Sequence, residues 1–203
     1  MATARARSDN AKAARRRDII KATAGLVGAH GLNAVSMQDI AAACKLTKPA
    51  LYGYFATREE IILAAYRTLL NDCMAAFNRS LLAAGAPLPR ASFNRIFVSS
   101  FAARPLLCHL INHLTATLAP KLTAATAEHL RTGTAEQLAG LRALLLHYGY
   151  ADAKSAGDLA RAYYSILTGA VQIAAMPGGE FRTDMIDKAA FNANCLAALG
   201  CLR

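Results

Sequence analysis

The stretch SMQDIAAACKLTKPALYGYF, residues Ser36 to Phe55, reads as two short helices joined by a tight turn. Ser36 is a good helix N-cap, and Asp39 follows three residues later, as in a capping box. Ile40 begins the apolar face, with Ala41, Ala42 and Ala43 small enough for close packing. Cys44-Lys45-Leu46 forms the turn. Thr47 caps the second helix, and Pro49 lies in its first turn, where a missing N–H costs little. This second helix carries Lys48, Tyr52 and Tyr54 as outward donors. It is short, polar on one side and basic at its start. Such a helix can enter a major groove with its N-terminal residues at the base edges.

Upstream, Ala11 to Ala29 reads as a helix with Ile19, Ala22, Leu26 and Val27 at helical spacing, closed by His30-Gly31. Its job is to support the helix-turn-helix, and its early arginines are also candidates for backbone phosphates. Met1 to Asn10, rich in Ala, Arg and Ser, is expected to be disordered. It serves either as a basic arm for phosphate or a minor groove, or as a tail with no role. Downstream, Thr57-Arg58-Glu59-Glu60 is a capping-box sequence that opens a long helix to about Ala84, roughly 40 Å at 1.5 Å per residue.

Beyond the Gly85–Pro89 loop, helices are expected from Arg90 to Ala102, Arg104 to Leu118, Lys121 to His147 (whole or broken at Gly133), Ser155 to Met176 with Ser155 and Asp158 capping, and Thr183 to Leu199. No strand signal rises above this pattern. The fold is therefore expected to be all-α with about nine helices. Residues 1–56 are expected to form an arm and a three-helix domain with the helix-turn-helix, and residues 57–203 a second, helical domain.

Composition agrees. The chain has 203 residues, 55% of them hydrophobic and 18% charged, so a large core is easily built. The net charge is +10. Residues 1–58 hold 10 Lys/Arg against Asp9, Asp18 and Asp39, while residues 59–203 hold 13 against 10 Asp/Glu. The basic excess lies with the helix-turn-helix, which suits a polyanion partner, although a solvated basic tail accounts for it equally. Five cysteines, at 44, 73, 108, 195 and 201, include no CxxC, which argues against a disulfide framework and fits a reducing cytoplasm. The basic N-terminus lacks the apolar segment of a secretory signal. The uncharged stretch from Ala162 to Pro177 contains Ser165, Thr168 and Gln172 and falls short of the ~20 residues a membrane span needs. A soluble cytoplasmic protein with no membrane partner is expected.

Arg17 to Glu60 resembles the DNA-binding domain of the TetR family of bacterial transcriptional repressors. The resemblance rests on Ile19, Ala22, Leu26, Gly31, Val35, Ser36, Asp39-Ile40-Ala41, Leu46-Thr47-Lys48, Leu51-Tyr52, Tyr54-Phe55 and Arg58-Glu59-Glu60. Two positions depart from it. Lys45 stands in the turn where the family usually has Gly; a side chain there costs on the order of 1 kcal/mol if the residue is left-handed. Gly53 replaces a bulky residue between the two aromatics and removes a backbone contact.

By this resemblance, Ser36, Met37 and Gln38 open the helix that crosses the DNA backbone. Ser36 can donate to a phosphate, and Gln38 can pair an adenine. Lys48 can reach a phosphate or the guanine O6/N7 edge. Pro49, Ala50 and Leu51 can touch thymine methyls, and Tyr52 and Tyr54 can donate to phosphates. Arg58 anchors the long helix to the backbone. Tyr52 can equally be a core aromatic, and Phe55 is read as core.

In the second domain the resemblance implies a small-molecule pocket among the helices. Candidate lining residues are Phe77, Phe97, Phe101, His109, Asn112, His113 and Tyr164. An apolar wall with few polar groups suits a small hydrophobic or amphipathic ligand. His109 and His113 share a helix face, but two histidines without a third ligand do not make a metal site. No Gly-x-Ser-x-Gly, HExxH or P-loop is present, so neither catalysis nor a cofactor is expected. The last two helices are apolar beyond what one subunit can bury. Tyr163, Ile166, Leu167, Ala170 and Ala174 on one, with Met185, Ala189 and Leu196 on the other, are expected to pair across a homodimer as a four-helix bundle. The resulting expectation is a ligand-released repressor on a palindromic double-stranded DNA operator. The rival is an architectural DNA binder without a ligand, and a small-molecule carrier is disfavoured by the basic head.

Overall fold

The computed structural model describes residues 2–114 and 124–174. Among these residues it is all-helical, with eight α-helices, one single-turn 3-10 helix and no strand. The chain divides into two compact units between Asn71 and Asp72.

The first unit holds α1 (Ala2–His30), the 3-10 turn Leu32–Ala34, α2 (Met37–Ala43), α3 (Lys48–Tyr52) and the first part of α4 (Arg58–Ala84). The expected disordered arm is instead the beginning of α1, which is helical from Ala2. The reason is compositional: residues 2–17 contain neither Gly nor Pro and are rich in Ala and Arg, two of the strongest helix formers. The helix stops at Gly31, whose φ of +80° suits a residue without Cβ and whose N–H donates to Val27 O at 2.9 Å. Ile19, Val27, Leu32, Val35, Ile40, Leu51, Phe55 and Ile61 are buried, and α2 packs against both α1 and α3.

The turn between α2 and α3 closes with Lys45 N–H donating to Ala42 O at 3.0 Å and Leu46 N–H to Ala41 O at 2.8 Å. This pair is the Schellman arrangement, which wants a left-handed residue after the helix. Lys45 fills that position with φ 53°. The strain anticipated for a side chain there is therefore present.

The second unit holds the rest of α4, α5 (Arg90–Ala102), α6 (Pro105–His113), α7 (Ala124–His147) and α8 (Ala156–Ala174). α8 packs on α7 and α6, and α5 on α6. α7 runs unbroken through Gly133. Ser155 stands at the N-cap position of α8, its carbonyl accepting from Leu159 N–H at 3.0 Å, and its side chain is held by Asp152. The Asp152 carboxylate accepts from Ser155 N–H and Oγ–H, both at 2.7 Å, and from Lys154 N–H at 3.1 Å. Those bonds hold its pKa below the usual value. The ninth expected helix, Thr183 to Leu199, lies outside the described residues. No described helix is long and apolar enough to cross a membrane.

Candidate nucleic-acid interface

Local chemistry fixes the helix-turn-helix. Ser36 Oγ accepts from Asp39 N–H at 3.3 Å, and Asp39 Oδ2 accepts from Ser36 N–H at 2.8 Å and Ser36 Oγ–H at 2.6 Å. The hydroxyl bond, then the backbone bond, hold the Asp39 carboxyl below its ordinary pKa. Thr47 Oγ1 accepts from Ala50 N–H at 3.3 Å, with Pro49 in the first turn of α3. Thr57 Oγ1 caps α4 by accepting from Glu60 N–H at 3.1 Å, and Glu60 Oε2 reaches back to Ala56 N–H at 2.8 Å.

Burial sorts the expected DNA-reading residues. Gln38, Lys48, Pro49, Ala50 and Tyr52 are exposed, Tyr52 at 48%. Leu51 is fully buried between them, so it is the pin that holds α3 to the unit and not a base contact. Met37 is 8% exposed and likewise belongs to the core. The Ser36 hydroxyl is exposed but already donates to Asp39, so it serves the helix start first. Tyr54 is half-buried. With Gly53, Ala11 and Lys12 it lines an open concavity of about 490 Å³ between the end of α3 and α1.

Three arginines face inward. Arg15 Nη2 donates to Cys44 O at 2.6 Å, at the end of α2. Arg16 donates through Nη1 to Tyr54 O, pairs through Nη2 with Glu60 Oε1 at 3.3 Å, and lies 3.9 Å from the centre of the Phe55 ring. Arg58 donates through Nε to Val35 O at 2.6 Å and through Nη2 to Leu32 O, and pairs with Glu59 at 3.5 Å. Sequence reasoning assigned Arg58 to the DNA backbone and named the early arginines of α1 as candidates for backbone phosphates. Arg15, Arg16 and Arg58 hydrogen-bond carbonyls in or beside short helices and turns, where the backbone has acceptors without helical partners. The cations left exposed include Lys12, Arg17, Lys21, Lys45 and Lys48. Lys12 had no assigned role. It comes into view only because α1 brings it beside Gly53 and Tyr54, more than forty residues away.

In the second unit three of the aromatic residues expected to line a pocket are buried side chains in contact with one another or with other rings. Phe77, Phe97 and Phe101 are at most 5% exposed. Phe77 meets Phe93 and Phe97 edge-on at 5.6 and 5.5 Å, and Phe97 lies 5.3 Å from Phe101. His109 is exposed, while His113 and Tyr164 are half-buried; the Asn112 side chain lies outside the described residues. No group of three His, Cys, Asp or Glu that could hold a metal occurs among the described residues. Tyr163, expected at the dimer seam, is fully buried within its own subunit between Phe93 and Phe97, at 5.8 and 5.6 Å. Ile166 is half-buried. The side chains of Leu167, Ala170 and Ala174, and all of Met185, Ala189 and Leu196, lie outside the described residues.

Residues 19–65 match the family described as bacterial regulatory proteins, tetR family. Residues 66–179, more than half of the chain, match the tetracyclin repressor-like C-terminal domain. No curated protein sequence matches the chain. Several solved structures share its fold. The multidrug binding protein EbrR, complexed with imidazole, superposes with a TM-score of 0.64 at 20% identity, over 91% of this chain and 94% of that one. The fatty acid degradation regulator FadR from Bacillus halodurans gives 0.60 at 17%, over 86% and 90%. The TetR family transcriptional regulator PfmR from Thermus thermophilus gives 0.57 at 23%, over 84% and 93%. With the helix-turn-helix, the all-helical fold and both family domains in one chain, this protein belongs to the TetR family of DNA-binding transcriptional regulators.

Proposed function

We propose that the protein is a homodimeric repressor that binds a palindromic operator and leaves it when a small hydrophobic or amphipathic molecule enters the second domain. The observation that carries the DNA half is α3. Leu51 pins it to the unit while Lys48, Pro49, Ala50 and Tyr52 face out from a capped, basic start. Lys48 is then the base or phosphate contact at the groove, with Gln38 and Tyr54 flanking it. A head this small reads few base pairs, so specificity calls for two heads one helical turn apart, roughly 34–36 Å.

The ligand half draws on the relatives. One is described as a multidrug binding protein and another as a regulator of fatty acid degradation, which favours an apolar ligand class. The dimer half draws on the sequence of α8 and of residues 183–199, apolar beyond one subunit's needs. Release is a population shift: the ligand binds better to the conformation whose heads are wrongly spaced for DNA. The family acts in transcription and not in catalysis, and no enzymatic role is proposed.

The test is selection of duplexes from a random pool, followed by footprinting and native mass spectrometry. A sharp palindrome protected by a dimer, lost on adding the molecule that co-purifies with the protein, is the expected result. Uniform protection without sequence preference would replace this reading with an architectural DNA binder.

A further inference from the structure

The geometry points to Arg16 as a positioning residue for the recognition helix, acting through Tyr54 and Glu60 without touching DNA. This rests on the reading above that α3 enters the groove. One guanidinium makes three different contacts. It donates to the carbonyl of Tyr54, just past the end of α3, and pairs with Glu60 in the first turn of α4. It also lies over the ring of Phe55, which is buried at 1% exposure. Glu60 is itself fixed, since its other carboxylate oxygen accepts from Ala56 N–H. The chain of contacts therefore runs from the body of α1, through Arg16, to Tyr54 in the 53–57 link between α3 and α4 and to Glu60 just beyond it.

The need for such a tie follows from the size of α3. Its five residues make little more than one turn, too short to hold an orientation by their own hydrogen bonds. Within α3 Leu51 alone is buried, so the helix has one inward side chain of its own to set its orientation. The carbonyl held by Arg16 lies three residues beyond Leu51 and supplies the second point. Arg15 does the same for α2 at Cys44 O, but it reaches neither α3 nor α4. Arg16 reaches the carbonyl just past the one and the first turn of the other.

A planar guanidinium can serve carbonyl, carboxylate and ring at once; an ammonium cannot. Arg16→Lys keeps the charge and removes the geometry. Binding of the full-length protein is measured on a duplex selected from a random pool by the wild type and on the same duplex with scrambled half-sites. The Arg16→Lys variant should lose about tenfold or more of its preference for the selected duplex, comparable to losing one good base contact. Affinity for the scrambled duplex, and the slope of affinity against salt, should stay at the wild-type values because no phosphate contact is lost. Glu60→Gln keeps an acceptor for Ala56 N–H and should give a smaller loss in the same direction, less than additive with Arg16→Lys.

Retained preference in Arg16→Lys overturns the inference and leaves the operator reading standing. A flatter salt slope also overturns it, making Arg16 a phosphate contact. If Arg16→Lys loses helix content at the assay temperature, Glu60→Gln decides: normal preference in that folded variant overturns the positioning role. A wild-type protein with no sequence preference overturns the operator reading and this inference with it.

Discussion

Tyr163 donates its phenolic hydrogen to Asn94 Oδ1 at 2.5 Å, joining α8 to α5 inside the core of the second unit. Tyr163 has no exposed surface and Asn94 only 3%. A buried amide oxygen left without a donor loses its solvation and gains nothing in return. Tyr163→Phe should therefore destabilise the protein by about 1–3 kcal/mol, read by urea unfolding. Sedimentation should show no change in mass, since this ring faces its own subunit. A lighter species at unchanged stability would return Tyr163 to the dimer seam.

Phe77 separates core from ligand pocket. It is fully buried, with Phe93 and Phe97 edge-on against it. Phe77→Ala should cost roughly 3–5 kcal/mol, as for other buried aromatics cut to a methyl. A loss well below that range, with an altered ligand response, would make Phe77 a pocket wall.

Lys45 sits at φ 53° with its side chain exposed, so its backbone can be relieved without disturbing a contact. Lys45→Gly should raise stability by up to about 1 kcal/mol, the steric gain being partly offset by greater freedom in the unfolded chain. Thermal unfolding of the pair of proteins checks the sign.

The capping box at Ser36 and Asp39 has a defined pH response. Hydrogen bonds from Ser36 lower the Asp39 pKa below its ordinary 3.8. The folded state thus favours the carboxylate. The contribution of the cap is complete above the unfolded value and is lost as pH falls below 3.8 through the depressed one. A carboxyl titration followed by NMR should place Asp39 below 3.8, and Ser36→Ala should move it upward. No change in that variant would mean the hydroxyl bond does not form in solution.

Lys48 opens α3 and is exposed. Lys48→Ala should weaken operator binding by on the order of 1–3 kcal/mol and relax preference at one position per half-site if it reads a base. An equal loss on all sequences, with a salt slope lower by about one, would identify a phosphate contact. Unchanged binding would remove Lys48 from the reading helix.

Much of this protein was written locally. The caps at Ser36, Thr47 and Thr57, the turn at Lys45 and the apolar positions Ile19, Ile40 and Phe55 need only neighbours within a few residues to be read. Their spacing determined the all-helical class, but it left open whether Tyr52 faced out and set Leu51 on the wrong side of α3. What tertiary structure alone decided was the use of long side chains. An arginine can reach a phosphate in solvent or a carbonyl in its own domain, and nothing within four residues says which. Arg16 meets Tyr54 and Glu60 across separations of 38 and 44 residues, and Arg58 meets Leu32 across 26. The same holds for Tyr163. Helical spacing put it on an apolar stripe, but only the packing of α5 against it buried this ring within its own unit. Periodicity identifies a buried face; which surface buries it is a property of the assembled fold.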